Sequence, residues 1–83
     1  MKTNTVLKPF QAARYRVNLQ GQITACCWSD WFKNPQVNFI GAGITGQTVI
    51  EGDLDDQSAL FGLLSFVRDL GRPLISVELI KIL

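Results

Sequence analysis

DDQSALFGLLSFVRDLG, residues Asp55 to Gly71, is the stretch from which the fold of this chain is read. Leu60, Leu63, Leu64, Val67 and Leu70 recur at i, i+3, i+4, i+7 and i+10, the spacing of one helical face. Asp55 or Asp56 can cap the first turn, where a carboxylate accepts orphan backbone N–H groups and suits the positive end of the helix dipole. Gly71 suits the left-handed position just past the end, and Pro73 blocks continuation, so the pattern predicts a helix over 56–70. A helix with one apolar stripe must cover a sheet or another helix, so the flanking segments should be strands. The pattern identifies a scaffold and names no reaction.

Upstream, residues 14–20, RYRVNLQ, alternate: Tyr15, Val17 and Leu19 point one way, Arg14, Arg16, Asn18 and Gln20 the other. Gly21 interrupts this strand, and Ile23 resumes the inward parity after a bulge. In the stretch 25–35, ACCWSDWFKNP, Trp28, Trp31 and Phe32 lie at i, i+3 and i+4, with Cys27 four residues before Trp31. That spacing predicts a short helix of about two turns, ended by Asn34 and Pro35. Strands are expected at 37–40 and 48–54. Between them Gly41, Gly43 and Gly46 spell GxGxxG, but β-branched Thr48-Val49-Ile50 follows instead of the helix that a dinucleotide fingerprint needs. The glycines are therefore read as a hairpin connection. A fourth strand is expected over 74–82, with Ile75, Val77 and Leu79 on one face and Ile80 and Ile82 on the other.

The order strand, short helix, strand, strand, long helix, strand is the ferredoxin-like βαββαβ arrangement with its first helix abbreviated, an α+β fold. Right-handed crossovers give a four-stranded antiparallel sheet ordered 4-1-3-2, covered by helices on one face. First and third strands are then neighbours, which sets Arg14 and Arg16 opposite Glu51 and Asp53 on the open face. Residues 1–12 carry no periodicity and are read as a flexible or loosely docked arm; 13–83 form a single domain.

The 83 residues are 47% hydrophobic and 18% charged, with a formal net charge of +1, a globular and rather apolar chain with no electrostatic signature of a nucleic-acid or membrane-surface protein. The N-terminus lacks a continuous apolar region and no run of about 18 apolar residues occurs, so a cytoplasmic protein that does not enter the membrane is expected. Two cysteines and no histidine remove the usual zinc sites and the commonest general base, so no metal, cofactor or catalytic residue is assigned.

From about Arg14 to Glu78 the chain resembles a family of short bacterial proteins of unassigned function. Trp28-Ser29 with Trp31-Phe32 carries the resemblance upstream. Downstream it rests on Asp56-Gln57, Ala59-Leu60, Gly62-Leu63-Leu64, Arg68-Asp69-Leu70-Gly71, Pro73-Leu74 and Ser76-Val77. Phe61 and Phe66 stand where such proteins usually have histidine and a basic residue. The resemblance implies a bacterial protein and no particular activity.

An apolar surface on the outward side, made by Ile40, Val49, Ile80 and Ile82 around Arg14 and Arg16, points to a non-enzymatic interaction or ligand-binding module acting as a homodimer, with an unidentified protein or small apolar ligand as further partners. Phe61 lies off the leucine stripe and joins this interaction set; Gly62 faces solvent with no neighbour that the sequence reveals. The alternative is a small cofactor-free enzyme of the dimeric ferredoxin-like type, with a pocket lined by Tyr15, Trp28 and Trp31. RNA binding is disfavoured, because the outward positions of the middle strands offer no aromatic ring and include acids. Glu51, Asp53, Asp55 and Asp56 do not converge as a cation site. Cys26 and Cys27 lack CxxC spacing and an activating base, so both are expected to be reduced and metal-free. An intact mass two hydrogens short of the sequence mass, or bound zinc, would contradict that expectation.

Overall fold

The computed structural model describes residues 10–23 and 28–83. Its elements are β1 (Ala13–Gln20), α1 (Trp28–Trp31), β2 (Lys33–Ile40), a 3-10 turn (Gly43–Thr45), β3 (Gln47–Leu54), α2 (Gln57–Leu70) and β4 (Leu74–Ile82). The four strands form one open antiparallel sheet in the order β2-β3-β1-β4, which counted from the other edge reads 4-1-3-2. The expected adjacency of first and third strands is present along the whole of β1, from Ala13 opposite Leu54 to Gln20 opposite Gln47.

The helix α2 forms where the leucine spacing places it. Asp56 caps it by accepting a hydrogen bond from the Ala59 N–H at 2.8 Å. Gly71, at φ 72°, closes it by donating its N–H to the Arg68 carbonyl at 3.1 Å. Leu60, Leu63 and Val67 are buried against the sheet, joined by Ala13, Tyr15, Val17 and Leu19 of β1 and by Ile50 and Leu54 of β3. Thr48 is the buried polar member. Its hydroxyl accepts from the Ile23 N–H at 2.8 Å and donates to the Gly21 carbonyl at 2.7 Å, which pins the turn after β1 and holds Ile23 in the core. Gly21 sits at φ 91° and ends the strand rather than bulging it.

Three expectations are corrected. The described part of the helix after β1, Trp28–Trp31, is closed by the Phe32 N–H on the Trp28 carbonyl at 2.9 Å and ends ahead of Lys33, so Asn34-Pro35 lie inside β2 instead of terminating a helix. Asn34 takes φ 54°, and the register jumps between Lys33 opposite Asp53 and Gln36 opposite Glu51, so proline sits at a bulge on an edge strand, where a missing N–H is tolerated. Second, β4 does not keep one parity. Ile80 and Ile75 are extra residues, lying between Lys81 opposite Arg14 and Leu79 opposite Tyr15, and between Ser76 opposite Asn18 and Leu74 opposite Leu19. Past the first of these bulges the parity reverses, so Ile82 lies opposite buried Ala13 on the helix-covered side, not on the open face. Ile75 likewise drops out of the face it was expected to share with Val77 and Leu79.

Third, Gly62 has a close neighbour. A Cβ built there would lie 3.3 Å from Trp31 Cζ3, so the indole is packed on the helix backbone. Gly52 is tighter still, because Phe32 Cδ1 and Cβ would lie 2.6 and 2.7 Å from an added Cβ. Phe32 is fully buried and uses the absent side chain as its socket. Gly52→Ala is expected to destabilise the fold by about 1–3 kcal/mol through overpacking, read as a lower urea midpoint at unchanged slope. An unchanged midpoint would show that Phe32 can move aside.

Candidate interaction surface

Because side chains on directly opposed residues share a face, the register assigns the open face of the sheet. It carries Arg14, Arg16, Asn18 and Gln20 of β1, Gln47, Val49, Glu51 and Asp53 of β3, Ser76, Glu78 and Lys81 of β4, and Asn38 and Ile40 of β2. The centre of this face is an ion-pair cluster. Arg14 donates from Nε to Glu51 Oε2 and from Nη1 to Asp53 Oδ1, both at 2.8 Å. Arg16 donates to Glu51 Oε1 at 3.1–3.2 Å and lies 3.6 Å from Glu78 Oε1. Asn34 adds its amide to Asp53 Oδ2 at 3.2 Å. Hydrogen bonding from Arg14 first, then from Arg16, holds the Glu51 carboxyl below its ordinary value. Arg14 first, then Asn34, does the same for Asp53. The same contacts, Glu51 foremost, raise Arg14.

Of the residues singled out from the sequence, Arg14, Arg16, Val49 and Ile40 do lie on this open face, with Ile40 exposed at its β2 end and Val49 half-buried. Ile82 does not, and Ile80 is the bulged residue of β4. Phe61 is exposed on α2, remote from the leucine stripe. Tyr15 and Trp28 are buried members of the core, while Trp31 is half-buried and stacked on Phe66 with ring centroids 5.2 Å apart. Phe66 also meets Trp28 edge-on at 5.7 Å. Tyr15 Oη and Trp28 Nε1 are buried without a hydrogen-bond partner among the described residues. The glycine-rich turn closes the β2–β3 hairpin, and Gly43 and Ile44 line an open cleft of about 350 Å³ with Gly21, Gln22 and Arg72. The cysteine pair Cys26-Cys27 and the arm residues Val6 and Leu7 lie outside the described residues. Among the described residues no group of three or more His, Cys, Asp or Glu gathers to hold a metal ion, and no helix is long and apolar enough to cross a membrane.

Much of the exposed apolar surface lies on the two edge strands; of it, only Ile40 and Ile80 were singled out from the sequence, and Leu74, Ile75, Leu79, Val37 and Phe39 were not. Leu74, Ile75, Leu79 and Ile80 of the edge strand β4 are 46, 47, 45 and 36% exposed, and Val37 and Phe39 are exposed on the other edge, β2. Val37 and Phe39 lie opposite buried Ile50 and Thr48, so they belong to the helix side, as do Leu74 and Leu79. The missing signal was non-local: an alternating strand looks covered from its own sequence, and only the width of the helix tells which strands it reaches.

The carboxylates give a test with a defined sign. Glu51 and Asp53 bind protons more weakly in the folded than in the unfolded chain, so their contribution is present above the ordinary carboxylate pKa and is lost as pH falls through the depressed folded values. The urea midpoint is expected to drop between about pH 7 and about pH 3, and the drop should shrink in Glu51→Gln. An identical drop in that variant would remove the cluster from the account of acid stability.

No curated protein and no solved structure matches the chain. A family model does match, over residues 14–78, from the first arginine of the ion-pair cluster to the glutamate of the edge strand. Since that span holds nearly all of the sheet and the whole of α2, the chain belongs to the family described as Domain of unknown function (DUF8691).

Proposed function

We propose that this chain is a non-enzymatic interaction module of ferredoxin-like βαββαβ topology that acts as a homodimer, joined along the free edge of its sheet at β4. The observation that carries the reading is the edge itself. It is nine residues long, has no proline, and carries four large apolar side chains each at least a third exposed. Such an edge is a ready template for pairing with another chain. The open face is a poorer candidate, because the charged groups at its centre already satisfy one another and its apolar content is limited to Val49, Ile40 and whatever the bulges add. A specific interface covers about 800 Å² per partner, so Val77 and Ile82 beside the edge would be drawn in with it.

The second reading, a small cofactor-free enzyme, has one observation in its favour. Tyr15 Oη and Trp28 Nε1 are buried polar atoms without partners, the kind of group that would orient a ligand inside an aromatic core. The described buried core around them is apolar except for Thr48, whose hydroxyl is already hydrogen-bonded to Ile23 and Gly21, and the reading ranks second for that reason. A cytoplasmic bacterial protein, without nucleic-acid, membrane or cofactor partners, fits either reading.

Sedimentation at micromolar concentration tests the assembly. Wild type is expected to run as a dimer and Ile80→Lys as a monomer, since a lysine at the centre of the edge would bury a charge in the joint. A wild type already monomeric there refutes the dimer and moves the weight to the competing expectation, that the N-terminal arm folds over the open face of the sheet through Val6, Leu7 and Phe10.

A further inference from the structure

The bulge at Ile80 does more than disturb the register of β4. In a regular strand, residues three apart point to opposite faces, so Glu78 and Lys81 would be separated by the sheet. Here Ile80 is extra, and Glu78 lies opposite Arg16 while Lys81 lies opposite Arg14, both on the open face. An edge strand thus presents one acid and one base on one face, two ladder positions apart, with Leu79 and Ile80 between them. Both charges are exposed, and the only contact of either among the described ion pairs is the long one from Arg16 to Glu78 at 3.6 Å.

We infer that the occupant of this edge is a second copy of the chain, paired antiparallel so that Glu78 of each copy faces Lys81 of the other; the inference rests on the homodimer reading above and specifies its register. A two-fold axis perpendicular to the sheet, between Leu79 and Ile80, makes this pairing. Val77 then opposes Ile82 of the second copy, and both belong to the helix-covered side, so the faces agree on either side of the axis. A bulge ordinarily spoils edge pairing because one strand has a residue too many. Two copies related by this axis carry the extra residue at the same level, and the spacing is restored. Neighbouring registers fail on the same grounds. Placing Glu78 opposite Glu78 sets like charges together, and centring on Leu79 or on Ile80 sets Val77 or Leu79, from the helix side, opposite Lys81 on the open face. The charges therefore select a partner with the same edge, run in the opposite direction.

The experiment uses charge reversal in both halves of the pair. A copy carrying Glu78→Lys presents two positive charges along its edge, and a copy carrying Lys81→Glu presents two negative ones. With two such pairs per dimer turned from attractive to repulsive, each variant alone is expected to self-associate about tenfold more weakly than wild type, and an equimolar mixture to recover to within about threefold by forming the heterodimer. Sedimentation of the two variants separately and mixed reads this directly, with circular dichroism to show that each remains folded. Should either reversal unfold the chain, Glu78→Gln and Lys81→Gln are expected to weaken association in the same direction by a smaller factor. A wild-type dimer whose variants associate unchanged, or whose mixture gains nothing, overturns the register while leaving the dimer standing. A monomeric wild type overturns both.

Discussion

Among the described residues one long helix, α2, covers a sheet four strands wide. At 1.5 Å per residue the 14 residues of α2 make a rod about 21 Å long and about 10 Å across, while four strands at about 4.8 Å spacing span roughly twice that width. A helix of that width can cover about two strands fully. Those two are β1 and β3, the middle of the sheet, and their helix-side residues, from Ala13 to Leu19 and from Thr48 to Leu54, are buried without exception. Everything else about the surface follows from that limit. The helix sides of β2 and β4 stay partly open, and the described turn of α1 fills the corner beside Gly52 and Gly62, with Phe32 and Trp31 set against bare backbone. In a fold with two full helices the second would lie over one of these outer strands. Here two glycines and the rings of Phe32 and Trp31 give a local cover.

The sequence was legible where the pattern was local and unbroken. The cap at Asp56, the leucine stripe and the left-handed Gly71 specify α2 within a residue, because each acts over one turn of chain. The ion pairs on the open face were legible for a different reason. Once the strand order is limited by short, right-handed connections, adjacency of β1 and β3 follows, and alternation then sets Arg14 and Arg16 against Glu51 and Asp53. What failed was parity across irregularities. Nothing in LISVELIKI marks Ile75 or Ile80 as extra, since neither is a glycine or proline, and a reading that assumes a regular strand puts Ile82 on the wrong side of the sheet. Asn34-Pro35 failed in the opposite sense. The pair is a sound helix terminator, yet asparagine tolerates a positive φ and proline tolerates an edge, so the same two residues were used as a bulge in β2. Gly62 was read as facing solvent, because its neighbour Trp31 is more than a third of the chain away and no periodicity connects them.

The open face and the β4 edge of the sheet have different needs, and this is why the proposed dimer is placed at the edge. On the open face Arg14 is held by two carboxylates and Glu51 by two arginines, so each charge removed from water already has a compensating contact and the face gains little from being covered. The edge at β4 is in the opposite condition. Its outward backbone groups have no ladder among the described residues, and its apolar side chains lie beyond the reach of α2. A protein that only needed to keep this edge silent would be expected to place lysine, proline or an inward charge along it. The strand has a bulge, which is one such device, but it also has isoleucine and leucine at the bulge and a charge of each sign on either side. That combination deters pairing with an unbulged strand, which cannot match the extra residue, and leaves intact the pairing with a strand bulged in the same place. Under the pairing proposed above, such an edge is selective rather than closed.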